Sequence, residues 1–250
     1  MAIPHALVSK TTRSSGGLTN IPVGQTLSNY VCPDYTRVHE YFDDFDQATD
    51  ITIASPIGWT LTKTGTGAIT IKTGVSGGRI NVATTNSSGD STEAQCKSDG
   101  YVFTAGKRLM LKYKIQCDNV STTDIVIGLQ KINTAPLTAT DGIYFVKATG
   151  AATIVAKVVG SSTASTSGTL ATMVVNTDIT LGLEYNPFNA DSATIGTMGT
   201  IDLYINDSQV GSVPVVNAPS ANLAPVIFLQ TNSANARNLQ VDYIFQALER

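Results

Sequence analysis

Leu109-Met-Leu-Lys-Tyr-Lys-Ile-Gln116 decides how the rest of the chain is read. Leu109, Leu111, Tyr113 and Ile115 alternate with Met110, Lys112, Lys114 and Gln116, which puts four apolar side chains on one face of an extended strand and mostly polar ones on the other. The same alternation returns in Ile125, Ile127 and Leu129, and in Ile179, Leu181, Leu183 and Tyr185 against Thr180, Gly182 and Glu184. It is present again in Ile201, Leu203 and Ile205 against Asp202, Tyr204 and Asn206. A last run sets Leu239, Val241, Tyr243 and Phe245 against Gln240, Asp242 and Gln246.

Shorter candidates are 41–45, 59–62, 68–72, 79–83, 93–97, 142–148, 153–159, 170–175, 209–214 and 226–230. Turn signals separate them, among them Gly65-Thr-Gly67, Gly77-Gly78, Asp99-Gly100, Gly160-Ser-Ser162 and Asn206-Asp207. The pattern predicts about fifteen strands in an antiparallel sandwich, two sheets burying their apolar faces against each other and leaving the other faces wet. No repeat of propeller or solenoid length is visible.

Composition agrees. The 250 residues include 34 Thr and 20 Ser but only four Glu (Glu40, Glu93, Glu184 and Glu249), a balance that favours strands and polar loops over helices. Charged residues make up 14%, roughly half the usual globular share of about 25%, and the net charge is −3. A surface of hydroxyls and amides does not suit binding through phosphate contacts, so no direct nucleic-acid partner is expected.

The start of the chain has no basic segment ahead of an apolar stretch, and Pro4 and His5 interrupt what apolar residues there are, so no signal peptide is expected. Apolar runs such as 125–129 and 225–229 are strand-sized, and no membrane partner is expected. Cys32, Cys96 and Cys117 lack metal-knuckle spacing and read as reduced, structural thiols. Three glycosylation-like triplets at Asn86, Asn119 and Asn206 carry no meaning without secretion.

Residues 1–38 differ from the body, 39–250. They lack periodicity, contain the linker-like Thr11-Thr-Arg-Ser-Ser-Gly-Gly17, and lose backbone donors at Pro4, Pro22 and Pro33. Such a segment cannot build its own core, so it is expected to extend as an arm against a neighbouring copy or another protein. Its candidate anchors are Ile3, Leu7, Val8, Leu18, Ile21, Val23, Leu27, Tyr30 and Tyr35. Lys10, Arg13 and Arg37 outnumber the single acid Asp34, which points to an acidic docking surface.

Several stretches carry a resemblance. Glu40-Tyr-Phe-Asp-Asp-Phe45, Trp59-Thr-Leu-Thr62, the hairpin Ile201-Asp-Leu-Tyr-Ile-Asn-Asp-Ser-Gln-Val210 and the closing Leu239-Gln-Val-Asp-Tyr-Ile-Phe245 resemble the concanavalin-A-like, laminin-G-like jelly roll. Asp207 stands where that hairpin usually has Gly, a change that type I′ turns tolerate. An irregular arm leading into such a domain is similar to virion structural proteins of tailed bacteriophages, and most of all to capsid decoration, or cement, proteins. The resemblance implies a non-enzymatic structural protein on the capsid exterior, made in the host cytoplasm. Its implied partners are the major capsid protein and copies of itself, with a trimer on a local three-fold axis as the implied assembly.

Catalysis is not expected. Glucanases of this fold imply Glu-x-Asp-x-x-Glu on one strand, and no such triplet occurs. The histidines are His5 and His39, and no nucleophile, base and oxyanion motif come together. No cofactor is expected. The cluster Asp43, Asp44, Asp46 and Asp50 is a weak calcium candidate, since hard cations take carboxylate oxygens. Trp59, Tyr101, Tyr144, Tyr204 and Tyr243 are candidates for stacking on sugar rings in an alternative reading, a fibre or lectin-like receptor binder. Of these, Trp59 is the one expected in the core and Tyr204 the one expected at the surface.

Overall fold

The alternating runs become strands because each hides one apolar face while hydrogen-bonding both its edges. The computed structural model describes residues 38–45, 58–72, 74–75, 78–97, 100–104, 106–187 and 199–249. In chain order its strands are β1 (Val38–Asp43), β2 (Trp59–Thr64), β3 (Ala68–Ile71), β4 (Ile80–Ala83), β5 (Ser91–Cys96) and β6 (Tyr101–Val102). They continue with β7 (Leu109–Cys117), β8 (Thr123–Gln130), β9 (Gly142–Lys147), β10 (Thr153–Gly160), β11 (Thr163–Thr166) and β12 (Ala171–Thr172). The last are β13 (Ile179–Asn186), β14 (Thr200–Ile205), β15 (Ser208–Pro214), β16 (Asn222–Thr231) and β17 (Asn238–Glu249). A 3-10 turn, Pro136–Thr138, lies between β8 and β9.

Two antiparallel sheets result. The eight-stranded one runs β15-β14-β13-β7-β17-β4-β3, with β1 also on β17. The nine-stranded one runs β11-β10-β9-β8-β16-β5-β2, with β12 on β10 and β6 on β16. Between the sheets lies one apolar core, to which β7 gives Leu109, Leu111, Tyr113 and Ile115 and β8 gives Ile125, Ile127 and Leu129. Each such buried aliphatic side chain contributes about 1.5–3 kcal/mol. Asn206 and Asp207 both take left-handed backbone (φ 49° and 65°), the type I′ geometry expected of the β14–β15 hairpin.

The fifteen expected strands all have a counterpart. The short strands β6 and β11 were not anticipated. Thr163-Ala-Ser-Thr166 in β11 is nearly all exposed, so it has no apolar face for alternation to reveal.

The expected alternation fails in β17. Val241 lies opposite Ile115 and Tyr243 opposite Lys114, so Asp242 is an extra residue and the strand bulges. Leu239 and Val241 point inward as expected. Beyond the bulge Ile244 and Gln246 are fully buried, whereas Tyr243 and Phe245 are partly exposed, the reverse of the sequence reading.

Gln246 therefore enters the core, where its Nε2 donates to the Tyr113 hydroxyl, and that hydroxyl donates to the Gly128 carbonyl at 3.0 Å. Lys147 is a second polar intruder. Its ammonium is buried at the Thr123 carbonyl and 3.1 Å from Thr123 Oγ1, and burial pushes its pKa down.

A buried donor or acceptor left unmatched costs about 1–3 kcal/mol, whereas replacing both partners by apolar groups is nearly neutral. Tyr113→Phe is therefore expected to lower urea-unfolding stability by about 1–3 kcal/mol, and adding Gln246→Leu is expected to recover part of that loss.

Candidate functional site

The two outer faces of the sandwich are the places where side chains of different strands converge, and they differ. On the nine-stranded sheet the outer face is not wet as expected: every residue of β8 and β9 is buried. Val126, Tyr144, Val146, Val159, Val226 and Phe228 form a second apolar cluster there, joined by Ala139 and the partly buried Leu137 from the 131–141 connection. Amides hold that connection down. Gln95 donates to the carbonyls of Gln130 and Lys131 and accepts from Asn133 N at 3.0 Å, while Gln130 Nε2 reaches Pro136 O at 2.8 Å.

Beside the connection a groove of about 430 Å³ opens between Thr60, Thr62, Gln95, Asn133, Thr138 and Thr140. Glu93 pairs in register with Thr62 and with Phe228, so it sits on this same face, 2% exposed, and its Oε1 has no hydrogen-bond partner. Burial raises its pKa from 4.5 to about 7. Asp124, the acid of β8 on this face, is held by Thr149 N at 2.6 Å and by Asn232 Nδ2.

The outer face of the eight-stranded sheet is open. Register places Tyr204, Gly182, Lys112, Phe245 and Phe42 in one row across β14, β13, β7, β17 and β1. Phe42 is 56% exposed and its ring lies 6.3 Å from that of Tyr243. A trough of about 240 Å³ lies over Gly182, walled by Tyr204, Phe245, Met110 and Lys112. Lys112 Nζ meets Asp207 at 2.6 Å and Arg108 meets Glu184 at 3.8 Å, which pairs off the charges at the rim. Further along the face, Arg79 and Lys114 share Asp178 and Asp242 in a network of two cations and two anions, with contacts from 2.6 to 3.3 Å. Asp242 is the extra residue of the β17 bulge.

Other sequence candidates fall as follows. Trp59 is buried, as expected, and so are Tyr101 and Tyr144, which removes the last two from the sugar-stacking candidates. Tyr204 and Tyr243 remain partly exposed. Phe42 and Phe245 were missed: Phe42 carried no signal beyond its place in a strand, and Phe245 was assigned to the wrong face by the unseen bulge. Asp43 accepts from the Tyr41 hydroxyl at 3.0 Å and from Phe45 N at 2.8 Å, as a turn-capping carboxylate does. Asp46 and Asp50 lie outside the described residues, and no group of three or more potential metal ligands occurs among the described ones. Cys117 is a buried thiol, and burial raises its pKa. The arm candidates Ile3, Leu7, Val8, Lys10, Arg13, Leu18, Ile21, Val23, Leu27, Tyr30, Tyr35 and Arg37, together with Cys32, lie outside the described residues.

No protein-family model and no curated protein matches the chain. Solved structures do. The carbohydrate recognition domain of Emp47p is similar at 10% identity, covering 85% of this chain and 97% of that one with a TM-score of 0.57. An endo-1,3-beta-glucanase from Streptomyces sioyaensis matches at 12% identity, covering 84% and 96%, with a TM-score of 0.57. A protein of unknown function from Shewanella oneidensis MR-1 matches at 17% identity over 85% and 87%, with a TM-score of 0.55. The fold is a concanavalin-A-like jelly-roll sandwich. Likeness at such identity extends to the fold alone.

A carboxyl whose folded pKa is raised stabilises the fold fully below its unfolded value and loses that contribution as pH rises through the folded one. Glu93→Gln is therefore expected to raise stability at pH 8 by on the order of 2 kcal/mol and to leave it unchanged near pH 4. Urea unfolding at both pH values measures the difference, and equal effects at the two would show that Glu93 is not the titrating group.

Proposed function

We propose that the chain is a non-enzymatic virion structural protein that decorates and stabilises a phage capsid. In this reading the arm, residues 1–38, binds the major capsid protein or neighbouring copies, and the sandwich faces outward. The observation that carries it is the junction where the arm meets the body. β1 pairs with β17 in six consecutive register positions, from Val38 opposite Glu249 to Asp43 opposite Ile244. Antiparallel ladder bonds run perpendicular to the strands, so tension along the arm loads all of them in shear at once instead of opening them one by one. An arm attached in this way passes load into the middle of a sheet.

The acids support a structural role. Asp118 accepts from Asn238 N and Nδ2, and Asp141 from Ser161 N and Ser220 N, so each clips one loop or strand end to another. Glu93 and Asp124 share a face, but Asp124 is already committed to Thr149 and Asn232. The paired, water-accessible carboxyls that glycoside hydrolysis needs are a different arrangement.

A second reading, a fibre or lectin-like protein whose body recognises a glycan, is favoured by the aromatic row across the eight-stranded sheet. The two readings share a fold and differ in which surface works.

Removal of residues 1–37 leaves β1 whole. The truncated protein is expected to keep its melting temperature and to lose occupancy on undecorated capsids in a co-sedimentation assay. Undiminished occupancy would refute the arm's role.

A further inference from the structure

We infer that the trough over Gly182, on the outer face of the eight-stranded sheet, is a saccharide-binding site for a neutral sugar ring. The inference rests on the glycan reading and assigns it a place. Three observations converge on a sugar.

The first is shape. In the row Tyr204–Gly182–Lys112–Phe245 the glycine supplies floor and no side chain, so the trough opens between one aromatic wall at Tyr204 and another at Phe245. Strand spacing sets those residues about 14 Å apart. Its volume, about 240 Å³, is below the ~300–1,000 Å³ of pockets for drug-sized ligands. A single ring fits that scale, and Phe42, next in the row and 56% exposed, extends the apolar track for a following ring.

Chemistry is the second. Apolar C–H faces stack on aromatic rings while hydroxyls need donors and acceptors at the edge, and sugars offer both at once. The trough answers with Tyr204 and Phe245 as walls and with Lys112 and Glu184 as polar edges.

The third is electrostatic. Lys112 is neutralised by Asp207 at 2.6 Å and Glu184 faces Arg108 at 3.8 Å, while Asp202, in register with Glu184, adds a buried carboxyl whose pKa burial raises, so the rim has donors and acceptors and no excess of positive charge. That suits an uncharged ligand and gives a phosphate or a uronate no excess charge to meet. A second copy of the chain is the competing occupant. A stable dimer needs about 800 Å² from each partner, and this hollow with ionic rims on two sides offers one ring-sized recess.

The test uses the full chain on an array of neutral gluco-, manno- and galacto-oligosaccharides, followed by calorimetric titration of the best-bound one. Phe245→Ala and Tyr204→Ala are each expected to weaken binding by about tenfold or more, the scale of one lost aromatic contact. Gly182→Thr, which would crowd Tyr204 with a Cβ 3.3 Å from its Cβ, is expected to block the recess. Thermal melts accompany each variant, and a variant that does not melt cooperatively is replaced by Phe42→Ser, expected to weaken only longer oligosaccharides. Binding that falls in the variants while melting holds supports the site. Binding unchanged in all of them overturns the site and leaves the glycan reading standing, whereas no binding of the parent chain to any neutral glycan overturns both. Preference for acidic glycans, or a concentration-dependent dimer that Phe245→Ala abolishes, also overturns it.

Discussion

Between Val241 and Tyr243, β17 carries one residue more than the strand it pairs with, and the sheet has to accommodate Asp242. A bulge of this kind turns over everything that follows it. Ile244 and Gln246 go in, Tyr243 and Phe245 come out, and Asp242 is left at the surface to bridge Arg79 and Lys114. The polar chain from Gln246 through Tyr113 to the Gly128 carbonyl depends on that inversion, as does the aromatic row on the opposite side of the same strand. A straight β17 would bury two aromatic rings where the core now holds an amide and would leave the outer face without its central ring.

The sequence was legible where one face of a strand meets the core and the other meets water. Leu109 to Ile115 in β7 is such a case, because the neighbouring sheet covers one side only. Legibility ended where burial came from something other than the facing sheet. Tyr144 and Val146 sit on the outer face, yet the 131–141 connection covers that face, so they are buried on a side that alternation assigns to solvent. The bulge left no mark either: Asp242 is neither Gly nor Pro, and a period-two pattern runs through it unbroken. Glu93 looked like an isolated acid because its significance lies in its neighbours Phe228 and Thr62, which come from strands distant in the chain.

The two outer faces divide the surface between them. One has been closed by a connection pinned through Gln95, Gln130 and Asn133, with apolar side chains filling the space beneath it. The other keeps Phe42 and Tyr204 accessible and pairs its lysines and arginines with acids. The ion pairs on that face tie Arg79, Arg108, Lys112 and Lys114 to nearby acids. The β1–β17 ladder fastens the first described strand, over six register positions, to the strand that carries the bulge.

β17 is also the last of the described strands, and it is hydrogen-bonded to β7 on one edge and to β4 and then β1 on the other. A ribosome delivers those three partners long before it delivers residues 238–249. Through that interval the other seven strands of the sheet lie in three pieces, β15-β14-β13-β7, β4-β3 and β1, whose bare edges are able to pair with a neighbouring chain on the same polysome. The eight-stranded sheet therefore closes only once β17 is in place, and the rate of synthesis sets how long each copy is exposed to its siblings.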